Sequence, residues 1–168
     1  MSRYLSAILS TLLAFATLHA QSTDRKPSTP EDRAKVVEIS RSLEADPLAK
    51  IAKDQRNWIV HWLIAVPDIS VKVCGNLLGP LLGSNKNYSA EIFTQLVPSS
   101  AAFVITHPEK SKDDVAVYTA ALEGALRTYE SILRLKPKAR WPYLDGLIEK
   151  RDTVGLTEHV RQVAEHCN

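Results

Sequence analysis

Between residues 111 and 136 the apolar positions Val115, Tyr118, Leu122, Ala125, Tyr129 and Ile132 follow one another at intervals of three and four. That spacing returns to one face of a 3.6-residue period on every turn, so it predicts a long amphipathic helix with a continuous buried seam. Ser111 stands at the expected N-cap, Asp113 and Asp114 in the first turn, and Lys136-Pro137 at the end. Glu123 with Arg127 and Glu130 with Arg134 are i,i+4 pairs that mark a solvated edge. Beside the seam runs a stripe of small residues, Ala121, Gly124, Thr128 and Ser131. A mid-helix glycine costs about 1 kcal/mol relative to alanine. The stripe therefore predicts close approach by something, either another helix of the same chain or a ligand or partner helix lying in a groove.

The preceding helices announce themselves by their ends. Thr29 caps the first, with Pro30 at N1, Glu31 and Asp32 in the first turn, and Val36, Ile39 and Leu43 as its apolar stripe. Asp46-Pro47 ends it and starts a second, carrying Leu48, Ile51, Gln55, Trp58, Trp62 and Val66 until Pro67 closes it. From Trp58 to Val66 this helix is apolar nearly all round except for His61, which predicts burial on more than one side and makes it the expected partner of the seam. Ile69, Val71 and Val73 alternate with polar residues, but no second strand is available to pair with them, so a short helix or an extended link is expected over 68–82. Residues 83–87 form a loop by composition.

Ser89 caps a segment reaching about Thr106, with Pro98 inside it. A proline there removes one backbone donor and crowds the Thr94 carbonyl, which predicts a kink or two helices. Trp141-Pro142 opens another helix, and a last one follows Gly155 toward Cys167. The expected fold class is all-α: a compact bundle of five to seven helices forming a single domain over residues 30–168.

Composition places this domain in a compartment. Arg3, an apolar run from Leu5 to Leu18 and Ala20 before Gln21 read as a secretory signal peptide over residues 1–20. The alternative is a retained anchor, but the segment 4–20 is interrupted by Ser6, Ser10, Thr11 and His19 and falls short of the roughly 20 apolar residues of a comfortable span. The expected location is secreted or periplasmic, with no stable membrane insertion after cleavage. Residues 21–29, polar and containing Pro27, are expected to be a flexible tether. Cys74 and Cys167, an even count in an exported chain, are expected to form one disulfide, with free thiols as the alternative.

The remaining composition narrows the chemistry. Of 21 basic residues only Arg3 leaves with the signal, so 20 face 19 acidic ones and the formal charge is +1. With charges alternating in sign along each helix there is no basic stripe for nucleic acid. His61, His107, His159 and His166 show no HxxxH spacing, the cysteines no CxxC, and the chain has neither a GxSxG elbow nor a Gly-rich phosphate loop. The sequence thus offers no catalytic residues, no metal ligands and no cofactor motif. It points to a non-enzymatic binding or protein-interaction domain of unknown ligand, another protein being the candidate partner, with a small secreted enzyme lacking a recognisable motif as the alternative.

Residues 95–126, QLVPSSAAFVITHPEKSKDDVAVYTAALEGAL, resemble the small periplasmic immunity proteins of type VI secretion, in which an apolar helix ending in HPE precedes an Ala-rich helix. In that family cysteines lie close to both helices, whereas here Cys74 lies upstream and the next cysteine is Cys167. The resemblance implies a protein that neutralises a toxin by binding it.

Overall fold

The structure is a computed structural model that describes residues 25–153 and 155–167. The expected signal peptide, 1–20, and residues 21–24 of the tether lie outside the described residues. The fold is all-α and stapled by one disulfide. Its seven α-helices among the described residues are α1 (Pro30–Ala45), α2 (Ala52–Ala65), α3 (Ser89–Thr94), α4 (Leu96–Thr106), α5 (Asp114–Leu135), α6 (Pro142–Asp152) and α7 (Leu156–Ala164). Short 3-10 segments occupy Gly75–Leu81 and Pro108–Lys110.

The seam helix α5 is the axis of the bundle, touching α1, α3, α4, α6, α7 and the Gly75–Leu81 segment. It starts two residues later than expected. The Pro108–Lys110 turn takes up the preceding chain, the Ser111 hydroxyl donates to the Pro108 carbonyl at 2.8 Å, and Asp113 caps instead by accepting from the Ala116 amide at 3.0 Å. Tyr118, Leu122, Ala125, Tyr129 and Ile132 are buried as one face. They pack with Leu77, Leu78 and Leu81, with Ile92 and Leu96, and with Leu144, Leu147, Leu156 and Val160.

The Trp-bearing helix is not the partner of that seam. It belongs to a second cluster in which Val36, Ile39 and Leu43 of α1 meet Ala52, Ile59, Trp62, Val66 and Ala101. Burial on more than one side is also absent, because Val60 is 42% and Ile64 65% exposed. Periodicity marks an apolar face but not what will cover it, and α2 finds cover only on the side facing α1 and α4. Trp58 stacks on Trp62 at 6.3 Å between centroids, with the Lys35 ammonium 4.1 Å from its ring. His61 is exposed. The helix begins at Ala52, not at Pro47, because residues 47–51 form turns, with the Arg56 guanidinium donating to the Pro47 carbonyl at 3.0 Å.

Pro98 splits its segment into two helices. It sits in the first turn of α4, where its missing N–H would otherwise bond the Thr94 carbonyl, and the break falls at Gln95. Ser89 does not cap α3. Its hydroxyl donates to the Ser84 carbonyl at 2.7 Å, and Tyr88 takes the cap position. Residues 66–74 are an extended link leading into Gly75–Leu81, where Gly79 adopts φ +49°. A Cβ there would lie 2.7 Å from the Tyr143 ring, so only glycine admits α6 this close. Cys74 and Cys167 are bonded, their Cα atoms 5.3 Å apart, and the Asn76 amide donates to the His166 carbonyl at 3.0 Å beside them.

The described part of the expected tether is docked. The Ser28 amide and hydroxyl both donate to Asp68, each at 2.8 Å, and Arg33 pairs with the same carboxylate at 2.7 Å. The Ser28 amide above all, with the Ser28 hydroxyl and Arg33, lowers the Asp68 pKa from 3.8 to about 2. A folded pKa below the unfolded one gives stability that is present above about pH 4 and lost as pH falls through about 2. The protection factor of the Ser28 amide against hydrogen exchange should therefore be high at pH 5 and fall as pH is lowered through about 2. Asp68→Asn should show little of that pH dependence; an unchanged profile in the variant would mean that another group holds the segment.

Candidate functional site

The small stripe of α5 is a filled contact. Ala121, Gly124, Thr128 and Ser131 are all buried, and what covers Gly124 is the chain's own α1 and α4. A Cβ on Gly124 would lie 1.9 Å from Ser99 Oγ, 2.5 Å from Ser99 Cβ and 2.7 Å from Glu44 Oε1. The glycine is there because a helix carrying a polar network crosses at that point.

That network is centred on Glu44. Arg127 donates to its carboxylate through Nε at 2.7 Å and Nη2 at 3.1 Å, and the Ser99 hydroxyl donates to Oε1 at 2.9 Å. Gln95 Nε2 donates to Ser99 Oγ at 3.1 Å, and the Ser131 hydroxyl donates to the Glu44 carbonyl at 2.6 Å. The hydrogen bond to Glu44 raises the Arg127 pKa above its ordinary value. On the solvent side opens a hollow of about 330 Å³ whose lining includes Ser40, Arg41, Glu44, Phe103, Glu123 and Arg127. A serine beside a carboxylate invites a nucleophile–base reading. Here, however, the carboxylate is neutralised by a forked guanidinium, and the serine proton is committed to it, so the pair ties α1 to α4 and α5.

Of the expected solvated pairs, Glu123 with Arg127 forms at 3.8 Å. Glu130 does not pair with Arg134; it takes both ends of the Arg151 guanidinium of α6, at 2.8 and 2.9 Å, while Arg134 donates to Ser131. The histidines are scattered. His61, His107 and His166 are exposed, and His107 stacks on Phe103 at 4.7 Å. His159 is half-buried with Nε2 3.3 Å from the Tyr143 hydroxyl, and burial followed by the nearby Lys150 charge lowers its pKa. Among the described residues no group of three or more His, Cys, Asp or Glu side chains is gathered for a metal ion.

A second hollow, of about 420 Å³, lies at the end of the bundle where α5 stops. The loop 86–88 folds onto residues 135–141, and Asn87 and Tyr88 both adopt left-handed backbone, φ 48° and 59°. Such conformations cost about 1–3 kcal/mol each in non-glycine residues and persist only where neighbours enforce them. The enforcing contacts are Asn87 Nδ2 donating to the Arg140 carbonyl at 3.1 Å and Trp141 Nε1 donating to the Asn87 carbonyl at 3.2 Å. Behind them the Trp141 amide donates to the Tyr129 hydroxyl at 2.8 Å, and that hydroxyl donates to Asp145 at 2.9 Å. Burial pushes the Tyr129 pKa up to about 12, so the anchor stays protonated at any ordinary pH. The hollow is lined by Tyr88, Leu135, Pro137 and Ala139 between Lys136 and Lys138, and Leu135 is 56% exposed.

Charge alternation along each helix hid this end. It is assembled from one loop and one helix terminus about 50 residues apart, and its only sequence signal is the alternate basic run Lys136, Lys138 and Arg140. No protein-family model, curated protein sequence or solved structure matches this chain.

Proposed function

We propose that the protein is an exported interaction domain that acts by binding another protein and not by catalysis. The observation that carries this reading is the placement of its exposed apolar side chains. Ile51, Val60 and Ile64 lie on and just before α2, Val73 and Leu82 flank the disulfide, and Leu135 sits at the basic end, each more than two-fifths exposed. Exposed apolar side chains beside polar groups are the material from which a protein contact is built. Glu44 and Tyr129, by contrast, are committed to holding helices together.

Export is supported by the Cys74–Cys167 bond, which fits an oxidising compartment, and by the signal-like composition of residues 1–20. Among the described residues no helix is long and apolar enough to cross a membrane. A narrower reading, a toxin-neutralising immunity protein, is favoured by one feature. Residues 95–126 fold as an apolar helix, a His107-Pro108-Glu109 turn and the first half of an Ala-rich helix, the arrangement that the resemblance implies.

Purification of the tagged chain from the exported fraction of its own host tests both statements. The expected product begins at or near Gln21, weighs two hydrogens less than its reduced form, and retains a stoichiometric protein partner through gel filtration. A full-length, reduced product would sink the export reading, and a chain that elutes alone would sink the interaction reading.

A further inference from the structure

The end of the bundle where α5 stops combines three features: an apolar hollow, uncompensated positive charge and an enforced loop. Lys86, Lys136 and Lys138 are exposed, and none of them is paired with a carboxylate among the described residues. Arg140, between them and α6, is compensated by Asp145 at 3.1 Å. The whole chain nearly balances its charges, 21 basic against 19 acidic residues, so three cations without a carboxylate at one end are a local excess. The helix dipole accounts for Lys136, which caps the C-terminal end of α5, but not for Lys86 in the loop or Lys138 beyond the helix.

From this we infer that the hollow framed by Tyr88, Leu135, Lys136 and Lys138, with Lys86 next in sequence to its Asn87 edge, is the docking surface, and that its partner is an acidic protein segment presenting one apolar side chain. The inference rests on the interaction reading above and deepens it. Charge complementarity selects the partner: carboxylates meet the lysine rim, and an apolar side chain covers Leu135 and enters the hollow. The strained Asn87-Tyr88 pair keeps the Tyr88 backbone fixed at the edge of the hollow before any partner arrives, so little ordering is left for the encounter. An anionic membrane is a poorer fit, because polybasic lipid sites use about 4–8 cations and this end offers three around a concave, not a protruding, apolar centre. Single-stranded nucleic acid needs free aromatic faces to stack on, whereas Tyr88 is half-buried against the core and Trp141 is held by Asn87.

The test is a titration of the isotope-labelled, disulfide-bonded chain followed by amide chemical shifts. The probes are a synthetic peptide of Asp and Glu around one Phe, the same peptide with Ser for Phe, and vesicles of phosphatidylserine with phosphatidylcholine. Expected are shifts concentrated in residues 84–90 and 134–141, and tighter binding of the Phe peptide than of the Ser peptide. Lys86→Glu with Lys138→Glu avoids the helix terminus and should weaken the Phe peptide about tenfold at low salt while flattening its salt dependence. Leu135→Ser should erase the preference for Phe. Unchanged melting curves verify that the variants fold.

Shifts spread over the other lysines, insensitivity to both variants, or stronger binding to the vesicles than to the Phe peptide would each overturn the assignment. A native partner that still co-purifies at full yield with K86E/K138E overturns the site and leaves the interaction reading standing; its loss supports both.

Discussion

Gly124→Leu lowers the melting temperature by roughly 10 °C. The position admits no side chain, since even a Cβ would lie 1.9 Å from Ser99 Oγ. Accommodating leucine means separating α4 from α5 and breaking the Ser99–Glu44 and Gln95–Ser99 hydrogen bonds. Overpacking of a tight core contact costs about 3 kcal/mol, and a domain of this size loses roughly 3 °C per kcal/mol. Gly124→Ala is milder, because about 1 kcal/mol of helix propensity is regained. The alanine variant also locates the clash: its penalty should shrink by at least about 1 kcal/mol in a Ser99→Gly background. Equal penalties in the two backgrounds, by chemical denaturation, would show that the strain is relieved elsewhere than at Ser99.

Removing the disulfide has a still larger expected effect. Cys74 and Cys167 close a loop of sequence separation 93, and in the chain-entropy account a loop of that length is worth about 4–5 kcal/mol. Cys74→Ser with Cys167→Ser, or reduction of the wild type, should lower the melting point by roughly 12–15 °C. The loss should also be uneven. Hydrogen exchange is expected to accelerate first in α7 and in Gly75–Leu81, which the bond joins, before α1, which packs on α4 and α5 in the other half of the molecule. A drop of only a degree or two, or uniform acceleration across all helices, would mean that noncovalent packing alone moors the C-terminus.

What the sequence disclosed and what it withheld divide along a physical line. Local signals were readable: the seam of α5, the Thr29 cap, the break enforced by Pro98, and the close approach demanded by Gly124. Each depends on residues within one or two turns of each other. Pairings between distant segments were not readable. Val115 to Ile132 looked like the counterpart of Trp58 to Val66, yet the seam meets Leu77, Leu144 and Val160, and α2 lies across the molecule with Ile64 in water. Two apolar faces of similar width are interchangeable on paper; topology and the disulfide decide which ones meet.

The same reasoning applies to the candidate sites. The stripe from Ala121 to Ser131 declared that something comes close but carried no label for Ser99 and Glu44, which do. The basic end was only half legible, because the loop that carries Lys86 meets the segment that carries Lys138 only in the fold, where Asn87 hydrogen-bonds to Arg140. A census of charge along single helices cannot register a patch built from a loop and a helix end.

The Cys74–Cys167 bond also sets the response to mechanical load. It encloses α3 to α7 in a covalent ring and leaves α1 and α2 as a leash outside it. A machine that grips the N-terminal end and pulls would peel away residues 25–73 and then stall, because beyond Cys74 it must drag two strands through its pore at once. Threading therefore stops at a fixed residue unless the bond is first reduced, and the ring that holds the α5 axis and the basic end would outlast the rest of the chain.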